Sequence, residues 1–65
     1  MSEDLEELRA KFSKVFASVP LPLRDEIISV IDDEPVSWSA AYLEISNKTE
    51  KGDKILKFLK HIELI

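Results

Sequence analysis

The first row of apolar residues along the chain has the spacing of a helix. Its members lie three or four positions apart, and they are Leu5, Leu8, Phe12, Val15 and Val19. This spacing places all of them on one side of an α-helix. Ser2 can cap the first turn, acidic residues follow it, and Pro20 cannot continue the helix. The pattern predicts a helix over residues 3–18.

The last row of apolar residues also predicts a helix. On a helical wheel its members cluster opposite the charged residues, and they are Ile55, Leu56, Phe58, Leu59 and Ile62. The polar run at positions 46–49 is typical of a turn, and Thr49 or Asn47 can cap the helix that follows. We expect this helix over residues 49–62.

The segment between these helices supports two interpretations, of which the first is helical. Pro22 suits the first turn of a helix over residues 22–32, and Ser37 can cap another helix over residues 37–46. This interpretation gives an all-α fold of four short helices, which is the fold class that we predict. Its core would contain ten residues: Leu8, Phe12, Val15, Ile27, Ile31, Trp38, Ile45, Leu56, Leu59 and Ile62.

The alternative fold class is α+β, with a helix, a β-hairpin and a helix. The run Ile27–Ile31 is β-branched at four of its five positions, which favours a strand. Val36–Ile45 would then supply the second strand, with residues 32–35 as the hairpin loop. Local propensity does not decide between the two interpretations.

Length and composition predict one globular domain without catalytic chemistry. The 65 residues form a single unit, in which residues 1–21 are an N-terminal helix with a proline-containing connection and residues 22–65 are a core. Because cysteine is absent and histidine occurs once, disulfides, thiolate nucleophiles and cysteine-based zinc sites are excluded. No nucleophile–base pair or glycine-rich loop stands out. We therefore expect no enzymatic activity and no catalytic, cofactor-binding or metal-binding residues.

Hydropathy and charge bear on location and partners. No apolar run approaches the roughly 18 residues of a membrane-spanning helix, and the first residues are acidic rather than basic as in a signal peptide. We therefore expect a cytoplasmic protein without a membrane partner. The net charge of −4 is uneven, since residues 1–36 sum to −5 and residues 37–65 to +1. Only the second part suits a polyanion.

Consecutive pieces of the second part follow the order of a known motif. Ile27–Ile31 would be a first core helix, Pro35–Trp38 a short extended piece, Ser39–Ile45 a second helix and Ser46–Thr49 a turn. The residues from Glu50 onward would be a recognition helix, and Ile55–Ile65 is similar to the leucine-spaced ending from which the chain runs on toward the wing. In this order, residues 27–65 resemble the helix-turn-helix core of winged-helix regulators.

The resemblance implies a small non-catalytic helix-turn-helix protein that binds DNA as a transcriptional regulator. Asparagine and threonine can bond to base edges, and lysine can contact phosphates or guanine. The residues that would face DNA are Asn47, Lys48, Thr49, Lys51, Lys54 and Lys57.

The alternative function is a protein–protein interaction adaptor with a winged-helix-like fold and no DNA binding. Glu50 and Asp53 on the presumed recognition helix repel phosphate, the net charge is −4, and no wing hairpin follows Ile65. The expected partner is therefore DNA or a protein. A homodimer through the apolar N-terminal helix is also expected, because helix-turn-helix proteins often bind two half-sites as dimers.

Overall fold

The computed structural model describes residues 4–65, which form three α-helices and a two-stranded antiparallel sheet. In chain order the elements are α1 (Leu5–Ala17), a 3₁₀ turn (Leu21–Leu23), β1 (Ile27–Ile31), β2 (Glu34–Ser37), α2 (Trp38–Ser46) and α3 (Glu50–His61). The fold class is therefore α+β, and the predicted all-α fold of four helices is wrong. The error lies in residues 22–32, where the 3₁₀ turn and β1 replace the predicted helix.

The hairpin forms at this place because its strand and its turn residues both favour it. Four of the five residues of β1 are β-branched, and such side chains pack well on a pleated surface. Asp32 and Asp33 have φ values of 52° and 67°. Aspartate tolerates this left-handed region better than most residues do. Two left-handed residues in succession match the type I′ turn, whose twist suits a two-residue hairpin.

The second strand is shorter than the α+β interpretation expects. That interpretation extends it over Val36–Ile45, but β2 ends at Ser37 and α2 begins at Trp38. The Ser37 hydroxyl accepts a hydrogen bond from the Ala40 amide at 3.1 Å, which satisfies an amide that the first helical turn leaves without a partner. The helix predicted over residues 37–46, with Ser37 as its cap, is confirmed.

The helices at the two ends of the chain lie close to their predicted bounds. Asp4 caps α1, and its carboxylate accepts hydrogen bonds from two amides of the first turn at 3.0 and 3.3 Å. Ser2, the predicted cap, lies outside the described residues. Thr49 caps α3 by accepting a hydrogen bond from the Gly52 amide at 2.9 Å.

The three α-helices and both strands contribute to one hydrophobic core. Six of the predicted core residues are buried: Leu8, Phe12, Ile31, Ile45, Leu56 and Leu59. Val15 and Trp38 are half-buried. Three residues that the prediction omits complete the buried cluster: Val36, Ala41 and Ile55.

Ile27 and Ile62 are exposed, so their predicted burial is wrong. Ile62 is the C-terminal cap of α3, and the chain turns away at Glu63, where φ is 63°. Ile27 is exposed because β1 contains a bulge, in which one extra residue, Ile28, lies between the pairs Ile27–Ser37 and Ser29–Val36. The bulge shifts the alternation of sides by one residue, so that Ile27 faces outward while Ser29 is buried.

Helices α2 and α3 approach each other closely at Gly52. A Cβ atom at this position would lie 2.6 Å from the Glu44 carbonyl oxygen and 3.0 Å from the Ile45 Cα. These are backbone atoms that cannot rotate away. Glycine is therefore required for the two helices to pack at this distance.

Arg9 ties α1 to the other two helices. Its Nε donates a hydrogen bond to the Ile45 carbonyl oxygen at 3.1 Å, and its guanidinium forms ion pairs with Asp53 at 3.3 Å and with Glu6. The Arg9 side chain is only 14% exposed. Its contacts with the Asp53 and Ile45 oxygens replace the hydrogen bonds to water that the guanidinium loses on burial.

Candidate interaction surfaces

Three of the candidate DNA-facing residues lie in the turn between α2 and α3, where they close one helix and open the next. Asn47 is the C-cap of α2, and Lys48 follows in the left-handed region with φ of 56°. The Lys48 amide donates to the Ile45 carbonyl oxygen and the Thr49 amide donates to the Glu44 carbonyl oxygen, as in a Schellman motif. The Thr49 hydroxyl donates to the Glu44 carboxylate at 2.6 Å. The Thr49 hydroxyl is thus engaged within the protein.

Two of the candidate lysines on α3 form ion pairs with the hairpin. The Lys51 ammonium donates to the Glu34 carboxylate at 3.1 Å, and the Lys54 ammonium donates to the Asp32 carboxylate at 3.0 Å. The acidic hairpin turn therefore lies along the side of α3 that was expected to face phosphate. Each of these lysines has a matched negative charge.

The electrostatic environment of Lys54 favours its charged form. The hydrogen bond to Asp32 raises the pKa of Lys54 above its ordinary value of 10.5, and the charges of Asp32 and Glu50 raise it further. Lys54 is therefore fully protonated at neutral pH, and its charge is directed at a carboxylate of its own chain.

Sequence reasoning missed these ion pairs because their partners are far apart in the chain. Glu34 and Lys51 are separated by 17 positions, and Asp32 and Lys54 by 22. The predicted turn at residues 32–35 did indicate such ion pairs, because an acidic turn and a helix with regularly spaced lysines carry opposite charges. Only the hairpin topology brings the two together.

The hairpin has an apolar surface on the side away from the core. We call Ile27, Val30 and Pro35 the outer hairpin face. Ile27 is 55% and Val30 56% exposed, and Val30 pairs with Pro35 across the two strands. The bulge adds Ile27 to this surface. The outer hairpin face thus presents three apolar side chains to solvent on one side of a two-stranded sheet.

A second group of exposed apolar residues lies on α2. Leu43 is 60% exposed and Tyr42 is 42% exposed. Tyr42 stacks on Phe16 of α1 with ring centroids 4.4 Å apart, and the Arg24 guanidinium lies 4.4 Å from the same Phe16 centroid. Tyr42 is therefore held by the protein, whereas Leu43 points to solvent.

The apolar stripe of α1, which the homodimer hypothesis uses, packs within the chain. Leu8 and Phe12 are 3% and 0% exposed, and the Phe12 ring lies near Phe16 and Trp38 with centroid distances of 6.0 and 5.9 Å. A dimer through this stripe would have to displace these contacts.

The structure shows neither a metal centre nor a membrane span in residues 4–65. No cluster of three or more histidine, aspartate or glutamate side chains in that range could hold a metal ion. Within the same range, no helix combines the length and the apolar character needed to cross a bilayer. Comparisons of the chain with known protein families, with curated proteins and with solved structures find no match.

Proposed function

We propose that the protein is a small non-catalytic module that binds another protein through the outer hairpin face. The observation that carries this proposal is the exposure of Ile27 and Val30, which lie beside Pro35 on one side of the sheet and are both more than half exposed. Removal of such apolar surface from water contributes roughly 25 cal/mol per Å² to an association. An exposed apolar group of this kind is typical of protein-binding surfaces.

The charges on α3 support a protein partner over DNA. Lys51 and Lys54 would have to give up Glu34 and Asp32 before they could meet phosphates. Of the four candidate lysines, Lys48 and Lys57 are without an ion-pair partner within residues 4–65. The net charge of −4 also opposes a polyanion.

We place this function in the cytoplasm. The support is the absence of cysteine, because small domains in oxidising compartments commonly depend on disulfides.

Photocrosslinking from defined positions tests the proposal. A photoreactive amino acid at Val30 is expected to form a covalent adduct with a protein partner in cells that make the protein. The same amino acid at Lys14, which is exposed on α1, is the matched control and should form no such adduct. The substitution Ile27→Asp, which adds a charge to the outer hairpin face, should reduce the adduct at position 30.

A duplex titration tests the DNA alternative in parallel. Nonspecific DNA binding typically gives dissociation constants of roughly 10⁻⁴ to 10⁻⁶ M at physiological salt, and lower salt strengthens it. We expect no saturable binding in this range even at low salt. Saturable duplex binding that Lys57→Ala weakens, together with no adduct at position 30, would contradict the proposed function and favour DNA.

A further inference from the structure

Given the proposed function, the geometry and charges of the hairpin determine which kind of protein segment fits the outer hairpin face. We propose that β1 receives an extended segment of a partner protein as a third strand, and that this segment carries basic residues on both sides of its apolar ones. The free backbone edge of β1, the blocked edge of β2 and the charges at the two ends of β1 carry the argument.

The hairpin geometry leaves the outer edge of β1 free at Val30. A two-residue turn is flanked by a hydrogen-bonded pair, which here is Ile31 and Glu34. Because such pairs alternate with non-hydrogen-bonded ones in an antiparallel ladder, the next pair, Val30 and Pro35, is non-hydrogen-bonded. The N–H and C=O of Val30 therefore point away from β2. No backbone hydrogen bond from outside the hairpin reaches Val30 in the part of the chain that the structure describes.

The other edge of the hairpin cannot receive a strand in the same way. Pro35 lies at the corresponding position of β2 and has no N–H to donate. β2 is also only four residues long and runs directly into α2. Since a free strand edge is a template for pairing with another chain, the template here is β1 alone.

The charges around β1 select a basic segment. Asp25 and Glu26 precede β1, and Asp33 lies in the turn that follows it. All three are exposed and form no ion pair with any residue between positions 4 and 65, in contrast to Asp32 and Glu34. β1 spans about 17 Å at the usual rise per residue, so basic residues some six positions apart in an extended segment would reach both ends. Apolar residues between them, at alternate positions, would lie on the outer hairpin face.

A binding experiment with synthetic peptides tests this inference on the full chain. The probe is the fluorescent peptide Lys-Lys-Val-Thr-Val-Thr-Val-Lys-Lys, and the matched control peptide has glutamate at its four lysine positions. We expect the basic peptide to bind at least tenfold more tightly at low salt. Asp25→Asn combined with Asp33→Asn should weaken its binding, whereas Glu7→Gln, which changes an exposed acid on α1, should not.

Amide hydrogen exchange distinguishes addition of a third strand from binding without backbone hydrogen bonds to β1. A saturating amount of the basic peptide is expected to slow exchange of the Val30 amide at least tenfold. The Ile31 amide, which already pairs with Glu34, is the internal control and should change little. A peptide with N-methyl groups on alternate amides, which cannot complete the ladder, should lose its affinity.

The possible outcomes separate this inference from the proposed function. Equal binding of basic and acidic peptides, binding without protection of Val30, or no binding at millimolar peptide would each overturn the inference. If a protein adduct still forms at position 30, the proposed function stands and only the proposed basic, extended partner segment is wrong. If neither the peptide nor the adduct is found, both are wrong.

Discussion

Ser29 is a polar residue held inside the apolar core. Its side chain is 4% exposed, and among the described residues its hydroxyl is the one buried side-chain polar atom without a hydrogen-bond partner. It lies there because it alternates with the buried Ile31 along β1, which places it on the inner side of the sheet opposite Val36. A buried hydroxyl without a partner costs about 1–3 kcal/mol of desolvation.

We predict that Ser29→Ala raises the free energy of unfolding by about 1 kcal/mol, because it removes the unsatisfied hydroxyl. Urea denaturation followed by circular dichroism measures this change. Ser37→Ala is the matched control in the same hairpin and should lower the free energy of unfolding by about 1 kcal/mol, since it removes the cap of α2. A similar loss of stability in both variants would refute this account of Ser29.

Gly52→Ala is predicted to lower the free energy of unfolding by about 1–3 kcal/mol, because its Cβ would press on the backbone of α2. The sign is informative, since alanine favours a helix interior over glycine by roughly 1 kcal/mol. Thermal denaturation measures the change. Lys57→Ala on an exposed position of α3 should alter the free energy of unfolding by less than about 0.5 kcal/mol. A stabilised Gly52→Ala variant would show that the helices do not pack this closely.

At the scale of elements, the hairpin is held to α3 by charge as well as by the core. Lys51 and Lys54 reach Glu34 and Asp32 from consecutive turns of the helix. Because the pKa of Lys54 is raised in the folded protein, its contribution to stability is fully present below about pH 10.5 and is lost as the pH rises through the raised pKa. The Coulomb part of the attachment weakens with salt.

We therefore predict that the urea midpoint falls as the pH is raised above 10.5, and that it falls less in Lys54→Met. All other side chains are the same in both proteins, so the difference between the two curves reports on Lys54. Lys57→Met, which removes an exposed lysine from the same helix, should follow the original protein. Parallel curves for all three proteins would mean that the Lys54–Asp32 pair does not contribute.

The elements differ in how far sequence alone predicts them. The helices α1 and α3 are predictable because their apolar residues repeat with the period of a helix over many positions. Only a helix places all of these residues on one buried side. Residues 27–31 fit a helix and a strand equally, and the decision depends on two aspartates that accept positive φ. The exposure of Ile27 follows from a bulge, for which the alternation of β1 gives no sign. The sequence therefore does not predict that the residues of the outer hairpin face lie together on one exposed surface.

At the scale of the whole molecule, the N-terminal segment and the rest of the chain share one core. Leu8 and Phe12 from α1 are buried together with Ile31, Ile45 and Leu56 from the other elements. The division into residues 1–21 and 22–65 thus describes connectivity rather than independent folding. Arg9 adds a polar connection at the same junction.

We predict that a chain of residues 22–65 alone does not fold cooperatively, because removal of α1 exposes the side of the core that Leu8 and Phe12 cover. Circular dichroism during thermal denaturation should show a sharp transition for the full chain and a broad, shallow change for the shortened one. Addition of a synthetic peptide of residues 1–21 should restore part of the transition. A sharp transition in residues 22–65 alone would contradict the single shared core.

The close approach at Gly52 also constrains how this chain can diverge during evolution. Any side chain at position 52 meets the α2 backbone, whereas most surface positions of the molecule accept many residues. The Thr49 hydroxyl, which binds the Gly52 amide, adds a second fixed point three positions earlier. Distant descendants should therefore retain a serine or threonine followed three residues later by glycine at the start of their last helix, after overall similarity has faded. That pair of residues is a mark by which such relatives can be recognised.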